Sequence, residues 1–159
     1  MNRLAVIATL LLGAFCITQQ ASAQTPDQSS RRPDYDRAVI FFHQLQSALR
    51  ANDRRQVEHF IHYPVRVNLH GHLVTIRTRS AFLTNYPQIF TTATRNYIAK
   101  SKDTDLWWRD QGYAIGDGVV WFDAFMPRGK RFPEVDSPAF WTSGSFGIET
   151  VNGTPGEKR

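Results

Sequence analysis

Cysteine is almost absent from this 159-residue chain, which contains Cys16 alone. That residue lies in the apolar run "LAVIATLLLGAFCI", which follows Arg3 and precedes a small-residue tripeptide ending at Ala23. A basic start, an apolar core and a small-residue cleavage site predict a signal peptide over residues 1–23, cleaved after Ala23. The mature chain would then contain no thiol, which excludes disulfides, cysteine nucleophiles and thiolate metal sites.

A long apolar run is also missing. The N-terminal run is shorter than the roughly 18 residues that a membrane-spanning helix needs. We therefore expect no transmembrane segment in the mature chain and a periplasmic or secreted location. Acylation of Cys16 in a lipoprotein is the alternative, but the bulky Phe15 precedes it where lipoprotein cleavage sites have a small side chain. Simple secretion is therefore favoured.

Charge of one sign is not concentrated in any region. The chain has 19 Lys and Arg residues against 14 Asp and Glu residues, a net charge of +5, and removal of Arg3 lowers it by one. The basic residues are scattered, apart from Arg31-Arg32 and "RGKR" at 128–131. Nucleic-acid binders usually gather their cations on one face or helix, so we predict a solvated surface and no nucleic-acid partner.

Helical periodicity begins at Asp34. The preceding residues 24–33, "QTPDQSSRRP", are polar and unpatterned and predict a flexible leader. From Asp34 onward, apolar side chains recur at helical spacing and predict a long amphipathic helix with one buried face. Asp53 can cap a short second helix, which we expect to end about Tyr63 because Pro64 disfavours helical backbone at the residue before it.

The hydrophobic period then changes from helical to alternating. Residues 65–77 alternate between apolar and polar side chains on both sides of Gly71, which predicts a β-hairpin with its tip near that glycine. Ser80 can cap a third helix that Pro87 breaks. Thr91 or its neighbour can cap a fourth.

Residues 105–122, "DLWWRDQGYAIGDGVVWF", are rich in aromatic side chains. Asp117-Gly118 suits the two positive-φ positions of a tight hairpin turn, which pairs Tyr113 with Phe122. Alternation places these two rings on one face of the sheet and Asp123 on the other. Both faces are apolar near the turn, so we expect helices to cover one face and the C-terminal segment, a second subunit or a ligand to cover the other.

The C-terminal part contains a loop and a last strand. Residues 126–138 contain three prolines and predict a long loop, and residues 140–151 predict the strand. Residues 152–159 predict a disordered tail. Residues 34–151 are therefore expected to form one domain, since a chain of this length can bury enough surface for a single core.

Three phrases carry a resemblance to a known family. They are "FFHQLQSALRANDRRQVEHFIHYPVRVNL", "AFLTNYPQIF" and "DLWWRDQGYAIGDGVVWF". With the order of predicted elements, they resemble small exported bacterial members of the nuclear transport factor 2-like superfamily, most of which have no assigned function. The resemblance implies an α+β cone in which N-terminal helices pack on a curved antiparallel sheet.

The resemblance implies an architecture rather than a chemistry. The superfamily includes enzymes, such as ketosteroid isomerase and scytalone dehydratase, and non-catalytic binding modules. No catalytic phrase of the family matches this sequence position by position, so no catalytic residue is carried over and no cofactor is expected.

The candidate site residues are aromatic and acidic. An isomerase-type reaction needs a carboxylate in an apolar pocket, and Asp123 is the candidate general base, with tyrosines as donors to an oxyanion. The alternative is that Asp123 pairs with backbone amides or Arg109 and that the rings only pack. The residues expected to line a ligand pocket are Tyr63, Tyr86, Trp107, Arg109, Tyr113, Trp121, Phe122 and Asp123.

Four histidines raise the question of a metal. His59 and His62 share a helical face, and His70 and His72 flank Gly71. Imidazoles suit zinc or copper in an exported protein. However, the spacing is not that of a metalloprotease, and no acids that would orient the rings are evident. The sequence therefore predicts no metal site.

The functional prediction is a ranked set. The sequence favours a periplasmic or secreted module without catalytic activity that binds a small apolar or aromatic ligand or an envelope protein, and that can form a homodimer through its sheet. A cofactor-free isomerase or dehydratase with Asp123 as base is one alternative. An inhibitor or immunity protein toward an envelope-directed enzyme is another.

Overall fold

The computed structural model describes residues 32–110, 112–134 and 137–153. The predicted signal peptide, most of the predicted leader and residues 154–159 lie outside this part. The elements in chain order are α1 Tyr35–Arg50, α2 Arg54–His59, β1 Ile61–Leu69, β2 His72–Ile76, α3 Arg79–Ile89, α4 Thr92–Lys100, β3 Leu106–Arg109, β4 Gly112–Ile115, β5 Val120–Phe125, α5 Pro138–Thr142 and β6 Ser145–Val151.

The strands form one six-stranded sheet in the order β2-β1-β6-β5-β4-β3. Only β1 and β6 pair in parallel, and the other neighbours are antiparallel. The last strand, β6, lies between β1 and β5 and so joins the early hairpin to the β3–β5 meander. The protein is therefore an α+β fold with helices packed against an open, mostly antiparallel sheet, as the sequence predicted at that level.

The first two helices follow the sequence pattern closely. In α1 the predicted apolar stripe, which includes Phe41, Phe42 and Leu45, is buried. The Asp53 side chain caps α2 by accepting hydrogen bonds from the backbone amides of Arg55 and Gln56 at 3.1 and 3.0 Å. Both features depend on residues only a few positions apart, which is why the sequence predicts them.

Two helix boundaries differ from the prediction. Helix α2 ends at His59 rather than about Tyr63, because the chain enters the sheet at Ile61, and Phe60 accepts a hydrogen bond from the Ile148 amide of β6. Helix α3 is capped by Thr78 instead of Ser80, and it continues through Pro87 to Ile89. A proline so close to the end of a helix removes one backbone hydrogen bond without stopping the last turn.

The β4–β5 hairpin has the predicted register but not the predicted turn. Ile115 pairs with Val120, and Tyr113 pairs with Phe122. The positive φ angles belong to Gly116 and Gly118, and the Val119 amide closes a longer turn by donating to the Ile115 carbonyl at 3.0 Å. Tertiary contacts select this turn, since the Gly116 amide also donates to the Asp105 carbonyl at 2.8 Å.

The C-terminal segment also differs from the prediction. Phe140, Trp141 and Thr142 belong to α5, so the last strand begins at Ser145 and not at residue 140. The predicted disorder from residue 152 does not hold for Asn152. Its amide donates to the Val119 carbonyl at 2.9 Å, and its side chain donates to the Gly118 carbonyl at 2.8 Å.

The core lies between the helices and one face of the sheet. Tyr113, Ile115, Val120 and Phe122 are all fully buried on this face, as alternation predicted. Val57 of α2, Phe82 of α3 and Ile98 of α4 complete it from the helical side. In the part of the chain that the structure describes, no helix is both long and apolar enough to cross a membrane.

Candidate functional site

The eight residues predicted to line one pocket lie in three separate groups. Tyr63 and Tyr86 contact Phe82 under α3. Trp107, Arg109 and Trp121 lie together on the sheet face away from the helices. The third group consists of Tyr113, Phe122 and Asp123. The structure therefore does not bring the eight residues to one cavity.

Tyr63 and Tyr86 both lie in packed surroundings, but only Tyr63 donates a hydrogen bond among the described residues. The Tyr63 hydroxyl donates to Glu58 at 3.2 Å, and Glu58 also pairs with Arg79 at 2.9 Å. The Tyr86 hydroxyl is buried and has no hydrogen-bond partner among the described residues. Burial raises the pKa of both phenols, with Glu58 adding to the increase at Tyr63. Both therefore stay protonated at neutral pH.

Two tryptophans cover the second face of the sheet at Ala114. Trp107 of β3 and Trp121 of β5 are the register partners of Ala114, which lies between them on β4. Their rings meet edge to face with centroids 5.1 Å apart. Arg109 lies over the Trp107 ring at 5.3 Å. Because Ala114 is small, the two large rings meet above it and bury it without a second subunit or a ligand.

Tyr113 and Phe122 fill the interior instead of lining a pocket. Both are fully buried. The Phe122 ring centroid lies 4.7 Å from that of Phe41, 5.6 Å from that of Tyr113 and 5.6 Å from that of Phe146. The prediction that these two rings enclose a ligand cavity is therefore corrected, since neither presents a free surface.

Asp123 does not have the surroundings that a desolvated base requires. Its side chain is 31% exposed, and its Oδ1 accepts a hydrogen bond from Nη2 of Arg32 at 3.4 Å. Arg32, not the predicted Arg109, is its basic partner. Nη2 of Arg32 also donates to Asp34 at 3.2 Å, and Asp34 accepts a hydrogen bond from the Tyr113 hydroxyl at 2.7 Å. Burial and this hydrogen bond to Asp34 raise the pKa of Tyr113.

A groove that the sequence did not predict lies between α1, the end of α2 and the start of β6. It has a volume of about 480 Å³. Its apolar lining consists of Ile40, Phe41, Phe60 and Phe146. Gln44 and His59 are among the polar residues at its edge. The size and the aromatic lining match those of small-molecule sites in proteins.

A second groove of about 310 Å³ shares His59, Phe60, Ser145 and Phe146 with the first and therefore adjoins it. It extends the apolar surface to Phe125, on which the His62 ring stacks with centroids 3.5 Å apart. We call the two together the α1–β6 groove.

Arg37 fixes the backbone beside the α1–β6 groove by hydrogen bonds. Its guanidinium donates to the carbonyl oxygens of Trp141 and Gly144 at 2.7 Å each and to that of Ser143 at 3.3 Å. It also lies 5.4 Å from the Phe146 ring centroid. One helix side chain thus fixes the connection between α5 and β6, which positions the lining residues of β6.

Sequence reasoning missed this groove because Phe41 and Phe60 belong to the predicted core stripes of α1 and α2, and Phe146 belongs to the predicted last strand. Ile40 gave a signal, since it is apolar but lies off the α1 stripe, and it is 58% exposed. Of the candidate pocket and metal residues named from the sequence, His59 and His62 line the α1–β6 groove.

The four histidines do not form a metal site in the structure. Nδ1 of His59 lies 2.7 Å from the Arg55 carbonyl, and His62 stacks on Phe125. His70 and His72 flank the tip of the β1–β2 hairpin. The described residues contain no group of three or more His, Cys, Asp or Glu side chains that could hold a metal ion.

We expect the partial burial of His62 to make stability depend on pH. Partial burial lowers the pKa of His62 below its ordinary value of 6.5. As the pH falls through about 6.5, the unfolded chain takes up the proton first, so stability is lost from there down to the lower folded-state pKa. We expect the unfolding free energy of the wild type to fall more steeply between pH 7 and pH 5 than that of His62→Gln. The effect is small because the ring is partly in solvent.

Denaturant unfolding at several pH values measures this difference. His70→Gln, at the hairpin tip, controls for the loss of one imidazole. Identical slopes for the wild type and His62→Gln would contradict the assignment.

No protein-family model, curated protein or solved structure matches this chain.

Proposed function

We propose that this protein is an exported, periplasmic or secreted binding module of the nuclear transport factor 2-like type, and that its α1–β6 groove binds a small apolar or aromatic ligand. The helices on one face of a mostly antiparallel sheet support this fold assignment. The cone shape itself is part of the proposal.

The observation that carries the proposal is the aromatic lining of the groove. Phe60 and Phe146 are only partly buried by the protein, and Ile40 is mostly exposed beside them. Apolar side chains grouped at a concave surface lose contact with water when a ligand covers them, which favours binding by roughly 25 cal/mol per Å² covered. The polar atoms of Gln44 and His59 at the edge can orient such a ligand.

Other grooves fit an apolar ligand less well. A larger groove of about 620 Å³ between α2 and α3 is lined by Arg54, Arg55 and Arg79 among others and has no aromatic lining residue. Tyr86 lines a smaller one of about 360 Å³ with Asn52 and Arg95, which are polar. Among these grooves, the α1–β6 groove therefore has the most apolar lining.

The groove favours binding over catalysis. Asp123, the base of the isomerase or dehydratase alternative, does not line it and is paired with Arg32. Its histidines lack a carboxylate partner among the described ion pairs and hydrogen bonds. The inhibitor or immunity alternative has no observation of its own in this structure.

The test compares two variants with the same charge change. N-phenyl-1-naphthylamine, an uncharged aromatic probe, is titrated into the wild type, Ile40→Glu and Leu73→Glu, and its fluorescence is measured. Leu73 lies on β2, outside the groove, and is as exposed as Ile40, at 62%. We expect saturable binding to the wild type and to Leu73→Glu. Ile40→Glu should weaken it about tenfold, because a ligand there would desolvate a carboxylate.

Circular dichroism and size measurements on all three proteins exclude unfolding and changes of oligomeric state as causes. Binding that is non-saturable in the wild type, or equal in all three proteins, would refute the assignment of the groove.

A further inference from the structure

Arg32 occupies a cage inside the folded domain. Its guanidinium carbon lies 5.0 Å from the Tyr113 ring centroid and 5.3 Å from that of Trp141. Asp34 and Asp123 accept hydrogen bonds from it at 3.2 and 3.4 Å. Only 15% of the Arg32 side chain is exposed. Two aromatic faces and two carboxylates are the surroundings that proteins use to bind organic cations.

The walls of this cage are held by contacts that do not involve Arg32. Asp34, which is 3% exposed, accepts a hydrogen bond from the Tyr113 hydroxyl at 2.7 Å. The Trp141 carbonyl accepts a hydrogen bond from Arg37 at 2.7 Å. Asp123 lies on β5, next to β4 in the sheet. The four wall residues come from different parts of the fold, so the tertiary structure positions the cage.

Arg32 is an imperfect occupant. A single nitrogen, Nη2, donates to both carboxylates. Nε of the same side chain is buried and has no hydrogen-bond partner among the described residues. A buried donor without a partner costs free energy, which weakens the hold of the cage on this side chain. A small cation that makes the Nη2 contacts without burying an unpaired N–H avoids that cost.

We propose that the cage of Asp34, Tyr113, Asp123 and Trp141 is a binding site for a small organic cation with a guanidinium or amidinium head, and that Arg32 of the chain itself occupies it when no such ligand is present. The apolar α1–β6 groove shares no lining residue with the cage. The cage would bind a cation and the groove an apolar ligand. The test of one proposal can therefore fail without affecting the other proposal.

The test removes the resident cation and supplies a free one. Methylguanidinium and acetamidinium are titrated at millimolar concentrations into the wild type and Arg32→Ala by calorimetry, at constant ionic strength. A ligand that must displace a tethered group binds only to the cages that are empty. Its apparent affinity is therefore the intrinsic affinity multiplied by the fraction of empty cages. We expect one saturable site in Arg32→Ala, with an apparent affinity about tenfold or more above that of the wild type. Acetamidinium, which lacks the Nε-type N–H, should bind at least as tightly as methylguanidinium.

Two further variants locate the effect. Arg109→Ala removes an arginine that also lies over a tryptophan ring but has no carboxylate partner among the described ion pairs, so it should not create a cation site. In the Arg32→Ala background, Asp123→Asn should weaken cation binding about tenfold, because the amide oxygen still accepts a hydrogen bond but the negative charge that strengthens it is lost.

Equal binding by Arg32→Ala and Arg109→Ala would overturn the proposal, as would a folded Arg32→Ala that binds neither cation. If Arg32→Ala does not fold by itself, thermal unfolding in the presence of each cation replaces calorimetry. A cooperative transition restored by methylguanidinium or acetamidinium, and not by sodium chloride, supports the site. Failure of both cations to restore it refutes the site.

Discussion

Phe122→Ala is expected to lower the free energy of unfolding by about 3–5 kcal/mol, the range for a buried phenylalanine replaced by alanine. Phe122 is fully buried, and its ring contacts those of Phe41, Tyr113 and Phe146. Removing it leaves a cavity bounded by three other rings, which cannot all move inward because each is held by its own element. The loss therefore includes both the transfer of the ring to water and the cavity.

Denaturant unfolding followed by fluorescence measures this loss. Phe132→Ala is the matched control, since Phe132 is 39% exposed and its ring contacts that of Phe140. We expect it to cost less than about 1 kcal/mol. A small loss for Phe122→Ala, close to that of the control, would mean that this ring borders open space, as the sequence analysis predicted, and that the interior described above is wrong.

Gly112→Ala is expected to have a comparable effect for a different reason. Gly112 has a φ of +100°, and a Cβ at this position would lie 2.6 Å from the Phe122 carbonyl oxygen and 2.7 Å from Cβ of Asp123. The backbone conformation costs an L-residue about 1–2 kcal/mol, and the overlap with a neighbouring strand adds about 1–3 kcal/mol. We therefore expect a total loss of about 2–5 kcal/mol in unfolding free energy.

The control for Gly112→Ala separates the two causes. Gly71 has a φ of +81°, and a Cβ there would meet nothing within 4 Å. Gly71→Ala should therefore show the conformational cost alone, about 1–2 kcal/mol. Equal losses for the two variants, measured by the same denaturant unfolding, would show that β5 moves away to accept the extra carbon and that the β4–β5 contact is not rigid.

Features that depend on neighbouring residues were predictable from the sequence. The buried stripe of α1, the Asp53 cap of α2, the Thr91 cap of α4 and the register of the β4–β5 hairpin all follow from patterns a few residues long. Each pattern is read within one element or across one turn, so no knowledge of distant contacts is needed. The α+β class follows from the same patterns in order.

Features that depend on distant partners were not predictable. Helix α2 ends early because β6 pairs with the residues that follow it, and β6 lies more than 80 positions away in the chain. The α1–β6 groove combines side chains from α1, the start of β1 and β6, and its rings look like ordinary core residues in the sequence. Hydrophobic periodicity predicts that such a side chain is shielded from water in the folded protein. It does not show whether the protein itself or a bound ligand covers the side chain.

The sequence by itself determined the order of the main helices and strands, the buried face of α1 and the pairing of the central hairpin, because those properties are local. Only the tertiary structure decided that Tyr113 and Phe122 fill the interior and that Ile40 borders a groove. It also brought Arg32 to Asp123, which is 91 positions away. A folded chain makes such contacts by packing several elements at once, and no pattern within a single element encodes them.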